Sequence, residues 1–397
     1  MTRHGFLKTL FITTALISGS VHAAGAQDIN AVGERLKQVL DAQGMKIDWA
    51  SASGDASEMV LDGVTLSIAS APDKLPVGKV TLSNITEEDG GYKIGSVTLP
   101  DYNVTEDGAT IDLKGVEMQG LKLGATNSTD PLANLLLYES ADVANFSVAM
   151  EGKEVFGLKG MHAEMTPLAE GKPMEFKVSS DGFSADLSSV KDPQAKAAID
   201  ALGYQTISGN LEMEGSWQPS DGRMNISQYD ITVDNAGTFG MTFDLSGYTP
   251  AFLKSLQELQ KKMADQPAGA DNSAQGMAML GLMQQLTFNG ASIRFDDDSL
   301  TNKVLDFVGK QQGISGADLA NQVKGLTPIM VAQVIKDQEL IKNVSEAVST
   351  FLSEPKSLEI NAQPAQPVPF ALLAAGAMAS PQDLPKTLGV TVTANED

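Results

Sequence analysis

The chain of 397 residues contains no cysteine. That removes disulfides, every Cys/His metal site and any thiol nucleophile. Of its three histidines, His4 and His22 fall within the first 26 residues, so the remainder offers only His162 as a side chain whose ordinary pKa lies near neutrality. Aromatic residues make up 6%, with two tryptophans, Trp49 and Trp217, so no aromatic sugar platform is evident. Basic residues are also scarce, 28 against 50 acidic, for a net charge of −22. Nucleic acids and anionic lipid surfaces both recruit a basic face, so neither is expected as an electrostatic partner. The apolar stretches Leu10–Ile17 and Pro369–Ala379 fall short of the roughly 20 residues a membrane-spanning helix needs. Phosphate loops of the form G-x-x-x-x-G-K-S/T, dinucleotide fingerprints and the G-x-S-x-G nucleophile elbow do not occur.

Residues 1–26 have the form of an export signal. Arg3 and Lys8 give a basic start, an apolar run follows from Leu10, and small residues close it at Ala23 and Ala26. Cleavage is expected after one of those two alanines. No cysteine follows, so a lipoprotein anchor is not expected. Removing the segment takes away two basic residues, leaving 26 against 50 acidic and a balance of −24. An exported chain without cysteine suits a bacterial periplasm, because secreted domains elsewhere usually carry disulfides. The remaining 397 − 26 = 371 residues can form two domains or one elongated one.

The body of the chain opens with a repeated pattern. Gly78-Lys79-Val80-Thr81-Leu82 is followed by Gly95-Ser96-Val97-Thr98-Leu99, and Val64 and Val116 begin related units. Apolar residues alternate within each unit, which is the period of a strand with one buried face. The intervening "TEEDGGY" suits a hairpin turn. In "ATIDLKGVEMQGLKL" the apolar phase shifts at Gly115 and again at Gly120, and Gly160 marks a similar shift after Phe156 and Leu158. Glycine at a phase shift is expected to mark a bulge with one extra residue, giving long curved strands. After a short helix over 193–202, a three-stranded meander is expected from Ile207 to Leu245, with turns at "PSDG" and "DNAG".

Near residue 248 the character changes. Thr249-Pro250 has the signature of a helix start, and Phe252, Leu253, Leu256 and Leu259 form an apolar stripe. "ADQPAGADNSAQG" reads as a loop, and "QQLTFNGASIRFDD" as a returning strand. Helices then follow at Leu300–Val308, from Thr327-Pro328, and from Leu340 to Leu352. The chain closes with a strand, a Pro-rich turn, a short apolar helix expected to be buried against the sheet, and a last strand.

Two acidic clusters lack the spacing of a calcium loop: Glu87, Glu88 and Asp89 in a turn, and Asp296, Asp297 and Asp298 at a strand end, where Asp298-Ser299 is expected to cap the next helix. His162 lies between Met161 and Ala163 in a strand and reads as a bystander, and Trp49 and Trp217 read as core. No catalytic, metal-binding or cofactor-binding residue is assigned, and no cofactor is expected.

The "GVTL", "GKVTL" and "GSVTL" units and the meander Ile207–Leu245 resemble the exported β-rich envelope proteins of Gram-negative bacteria of the AsmA and YdgA types. The resemblance covers about half the chain and departs from those families in its helical C-terminal part and in having no retained N-terminal anchor. It implies a long curved sheet with one apolar face, in some members a lipid groove, and carries over no functional residue.

The expectation is an α+β fold, a long curved antiparallel β-meander with a helix-rich C-terminal part packed on it. Residues 1–26 form the signal, 27–247 the meander and 248–397 the helix-rich part with returning strands. The expected function is a soluble periplasmic binding protein, not an enzyme, for lipid or another hydrophobic ligand. A structural or partner-binding envelope protein with no ligand groove and a carboxylate-dependent hydrolase stay open as alternatives.

Overall fold

The computed structural model describes residues 28–396 apart from 69–70, 127, 129, 170 and 265–272. The export signal therefore lies outside the described residues. The elements run α1 (Ile29–Ala42), β1 (Met45–Asp48), β2 (Ser51–Gly54), β3 (Glu58–Ile68), β4 (Ala71–Glu88), β5 (Gly91–Thr98), β6 (Tyr102–Glu106) and β7 (Ala109–Leu123). A 3-10 turn (Pro131–Asn134) leads to β8 (Ser140–Met150), β9 (Lys153–Met165), β10 (Met174–Asp186), α2 (Pro193–Leu202), β11 (Thr206–Gln218), β12 (Arg223–Val233) and β13 (Gly237–Ser246). Then come α3 (Pro250–Ala264), α4 (Ser273–Met283), β14 (Thr287–Asp297), α5 (Leu300–Gln312), α6 (Gly316–Val334) and α7 (Gln338–Ser353). The last are β15 (Ser357–Ala362), β16 (Val368–Pro369), α8 (Phe370–Ala379), α9 (Leu384–Thr387) and β17 (Val390–Ala394).

The strands form one 17-stranded sheet, and every described pairing is antiparallel. Each strand from β7 to β14 pairs with the next, so the sheet is a long curved meander with helices at its ends, the α+β class expected. The opening repeat is a hairpin: Thr81 faces Thr98 and Leu82 faces Val97, joined through Asp89 and Gly90, both at positive φ. That pair of left-handed residues matches the twist of two-residue hairpins.

The glycines differ from the expectation in one respect. Gly115, Gly120 and Gly160 do adopt φ of 60°, 64° and 55°. Yet β7 keeps constant register against β5, β6 and β8 through Gly115 and Gly120, and β8 and β9 stay in step past Gly160. No residue is inserted there. The phase shift occurs in neighbouring strands together: Leu113 and Phe146 are paired above Gly115, Val116 and Val143 below it. True register shifts lie elsewhere: in the β3–β4 pair around Gly63 and Gly78, and in several pairs of the meander, including β10–β11 and β12–β13.

The main core sits at the N-terminal end. α1 presents Val32, Leu36, Val39 and Leu40 to β3, β4, β5 and the end of β7, where Met59, Leu82, Ile94 and Leu123 are fully buried. Burial of each such side chain stabilises by about 1.5–3 kcal/mol. This helix, capped by Asp28, has no counterpart among the sequence expectations. At the other end α7 lies along β17. Asn343 donates Nδ2 to the Val392 carbonyl at 2.9 Å and accepts from the Val392 N–H at 2.8 Å. Its amide satisfies an edge-strand residue as a further strand would, blocking edge pairing.

Four expectations in the helical part need correcting. Thr327-Pro328 does not open a helix; it lies inside α6, which starts at the Ser315 cap. The Thr327 hydroxyl turns back to the Val323 carbonyl at 2.7 Å, and Pro328 is accommodated within the helix. The end of the "ADQPAGADNSAQG" loop, from Ser273, belongs to α4, whose Met, Ala and Leu residues are good helix formers. α5 is not capped by Asp298-Ser299: the Asp297 carboxylate accepts from the Thr301 N–H at 2.7 Å, and the Ser299 hydroxyl goes to the Asn235 carbonyl. Finally α8 is not buried; Leu372 and Met378 are 63% and 85% exposed.

Candidate functional site

Alternation along each strand becomes continuous rows when the registers are joined across the sheet. One row begins at Met59 on β3, Leu82 on β4 and Val97 on β5. It continues through Met118, Ala141, Ala163, Val178, Met213 and Tyr229 on β7 to β12. After a register shift between β12 and β13 the same face carries Met241, Ile293, Ile360 and Val392. Every member is apolar or aromatic. The next row along the strands is its polar counterpart: Glu117, Asp142, His162, Ser179, Glu212 and Asp230. The sheet therefore has one apolar and one hydrophilic face.

Burial of the apolar face varies along the row. Met59 and Leu82 are 0% exposed under α1, and Val392 is 7% exposed beside α7. Between them the row from Met118 to Met241 is only half-buried, and Phe239, Ile293 and Ile360 are 43–46% exposed. Ile111 and Phe156, flanking Val148 on the same face, are exposed too. From β7 to β14 there are seven inter-strand steps of about 4.8 Å, an open width of about 34 Å. Phe146 and Phe156 line it with centroids 6.1 Å apart, and at its edge Phe243 packs at the same distance on Phe288, which is buried.

The hydrophilic face is held by cross-strand ion pairs, including Lys177–Glu214 at 2.9 Å and Arg223–Asp244 at 2.7 Å. Arg294 joins Asp296 at 2.8 Å and Glu359 at 3.4 Å, so the first member of the Asp296–Asp298 cluster is neutralised in place. Of the other cluster, Glu88 and Asp89 lie 3.1 and 3.6 Å from Lys122. Among the described residues no three acidic or histidine side chains converge where they could hold a metal ion.

His162 takes Asp142 Oδ1 on Nδ1 at 2.7 Å, and that hydrogen bond raises its pKa. Ser179 stands opposite on β10, so the three residue types of a hydrolytic triad adjoin. The ring's Nε2 instead turns toward Glu164, 3.9 Å away, on an exposed surface. Trp217 is core, 3% exposed, donating Nε1 to the Tyr248 carbonyl at 2.8 Å. Trp49 packs at the edge of the N-terminal core under Lys37 Nζ, 4.1 Å from the ring.

Sequence reasoning missed Arg35, 3% exposed on the buried side of α1. Its guanidinium reaches the carbonyls of Gly124 at 2.5 Å and Ala133 at 2.8 Å, the Asn134 amide oxygen at 3.0 Å and Gln38 at 3.1 Å. All four acceptors are uncharged, and burial lowers its pKa. The signal was available, since Arg35 sits beside Leu36 and three residues after Val32. Gly124 and Ala133 also wall a cavity of about 350 Å³ whose rim pairs Lys93 with Glu139 at 2.7 Å.

A protein-family model described only as an uncharacterised protein matches residues 230–395, from within β12 to the end of β17. No curated protein matches the chain. No helix among the described residues is long and apolar enough to cross a membrane.

Proposed function

We propose that this chain is an exported, non-catalytic carrier whose open apolar face, between β7 and β14, holds the acyl chains of an envelope lipid. The observation that carries this is the contrast along one row. Apolar side chains that are fully buried under α1 are only partly buried across the middle strands, exposed at Ile293 and Ile360, and buried again beside α7. Leaving a large aliphatic or aromatic side chain half in water forgoes about 1 kcal/mol. A contiguous apolar surface of that extent marks a binding site in a folded protein. The open width of about 34 Å exceeds the roughly 15 Å hydrocarbon depth of one bilayer leaflet, so extended acyl chains fit across the strands. Export is the reading of residues 1–26, and the absence of cysteine agrees with a periplasmic location.

The test is native mass spectrometry and solvent extraction of the protein purified from the envelope. Co-purifying lipid is expected, and the double variant Ile293→Asp/Ile360→Asp is expected to lose it while staying folded with only a modest loss of stability. Wild-type protein free of lipid, and unable to take up a fluorescent fatty acid, sinks the reading.

A further inference from the structure

A lipid carrier must meet a bilayer, and the two ends of this sheet differ in chemistry. Acidic turns occur at both ends: Glu106-Asp107, Glu151, Asp234 and Asp297-Asp298 at one, Glu87-Glu88-Asp89 and Asp221 at the other. At that second end, α4 and α8 touch each other beside the start of β14. Neither Ser273–Met283 nor Phe370–Ala379 contains a charged residue, and residues 360–382 contain none at all. A helix apolar on all sides is ordinarily buried. Here Met277 is 71%, Leu372 63% and Met378 85% exposed. The helices are also continuous with the open face. Phe370 of α8 packs edge-on to Phe288, centroids 6.5 Å apart, and Phe288 packs on Phe243.

We propose that the α4–α8 end docks on a lipid bilayer by inserting these apolar side chains among the headgroups, and that acyl chains pass from there along Phe370, over the buried Phe288, toward the open face. The second half of this statement rests on the lipid-binding reading above. Charge selects the occupant. A chain of net charge −22 is repelled by anionic lipid, so docking is apolar and suits a zwitterionic surface. The uncharged α4 and α8 set the orientation. Both helices are too short to span, so they lie in the interface.

The test compares the full chain with Met277→Asp/Leu372→Asp/Met378→Asp, all three being exposed positions. Phosphatidylcholine vesicles are the bilayer probe, and a fluorescent fatty acid added from solution is the groove probe. The wild type is expected to co-sediment with vesicles, and the variant to bind them at least tenfold more weakly. The variant is also expected to take up the fatty acid normally and melt at the same temperature. Its transfer of lipid between vesicles should fall in parallel with docking. A wild type that ignores vesicles, or a variant that binds them equally well, overturns the docking while leaving the groove reading intact. A variant that changes only from dimer to monomer assigns the patch to self-association and also overturns it. Vesicle binding lost in the variant, with no fatty acid uptake by either protein, overturns the groove and with it the passage of chains.

Discussion

Ile293 on β14 faces Ile360 on β15, and the two side chains are 45% and 46% exposed although each belongs to the sheet's apolar face. At the far end of the same row, at Met59 and Leu82, exposure falls to 0%. If the exposed pair served stability, replacing both with aspartate would cost several kcal/mol, as burying unpaired charge does. On an open face each change costs no more than the spread of strand propensities, about 1 kcal/mol. Urea unfolding of Ile293→Asp/Ile360→Asp is therefore expected to show a modest loss of stability together with loss of lipid uptake. A collapse of the fold would mean that this face is core.

Gly115 and Gly120 occupy the left-handed region, and an added Cβ at Gly115 would stand 2.7 Å from the Ala144 Cβ. Valine, a good strand former, is expected to destabilise there by about 1–3 kcal/mol. Lys114→Val, on the adjacent exposed position, should be neutral or better. Thermal melts decide it; glycine variants melting above wild type would contradict the kinked rows.

Arg35 donates to four neutral acceptors, three of which, on Gly124, Ala133 and Asn134, tie the segment after β7 to α1. Arg35→Ala leaves two backbone carbonyls without donors and is expected to cost about 3 kcal/mol. Arg35→Met restores volume but no donors, so it should recover only part of that loss. Unchanged denaturation midpoints in both variants would remove the clamp from the account.

His162 has its folded pKa raised, first by the hydrogen bond its Nδ1–H donates to Asp142. Its contribution to stability is therefore fully present below the unfolded value of about 6.5 and is lost as pH rises through the folded pKa. Denaturation midpoints of wild type are expected to exceed those of His162→Gln by more at pH 5.5 than at pH 8.5. The difference should be small because the ring is exposed and solvent-screened. Equal offsets at both pH values would show that the pair contributes nothing.

Much of the fold was readable from the residues because alternation and turn chemistry are local. The meander from Ile207 to Leu245, the 193–202 helix and the Asp89-Gly90 hairpin follow from pattern alone. The interior position of Thr327-Pro328 does not, since Ser315 begins the same helix twelve residues earlier. Whether a face is open is a property of packing. Ile360 and Val392 read alike in sequence, yet Asn343 and α7 cover one and leave the other. α8 misled for the same reason, as an all-apolar helix carries no sign of which surface it meets.

The most direct test of the open face is photo-crosslinking with an acyl chain that carries a diazirine near its terminus, followed by peptide mass spectrometry. The account expects adducts on peptides bearing Phe156, Phe239, Ile293 and Ile360, and none on side chains of the opposite face such as Glu212 and Asp230. Adducts spread equally over both faces, or confined to the Arg35-backed cavity, would contradict it.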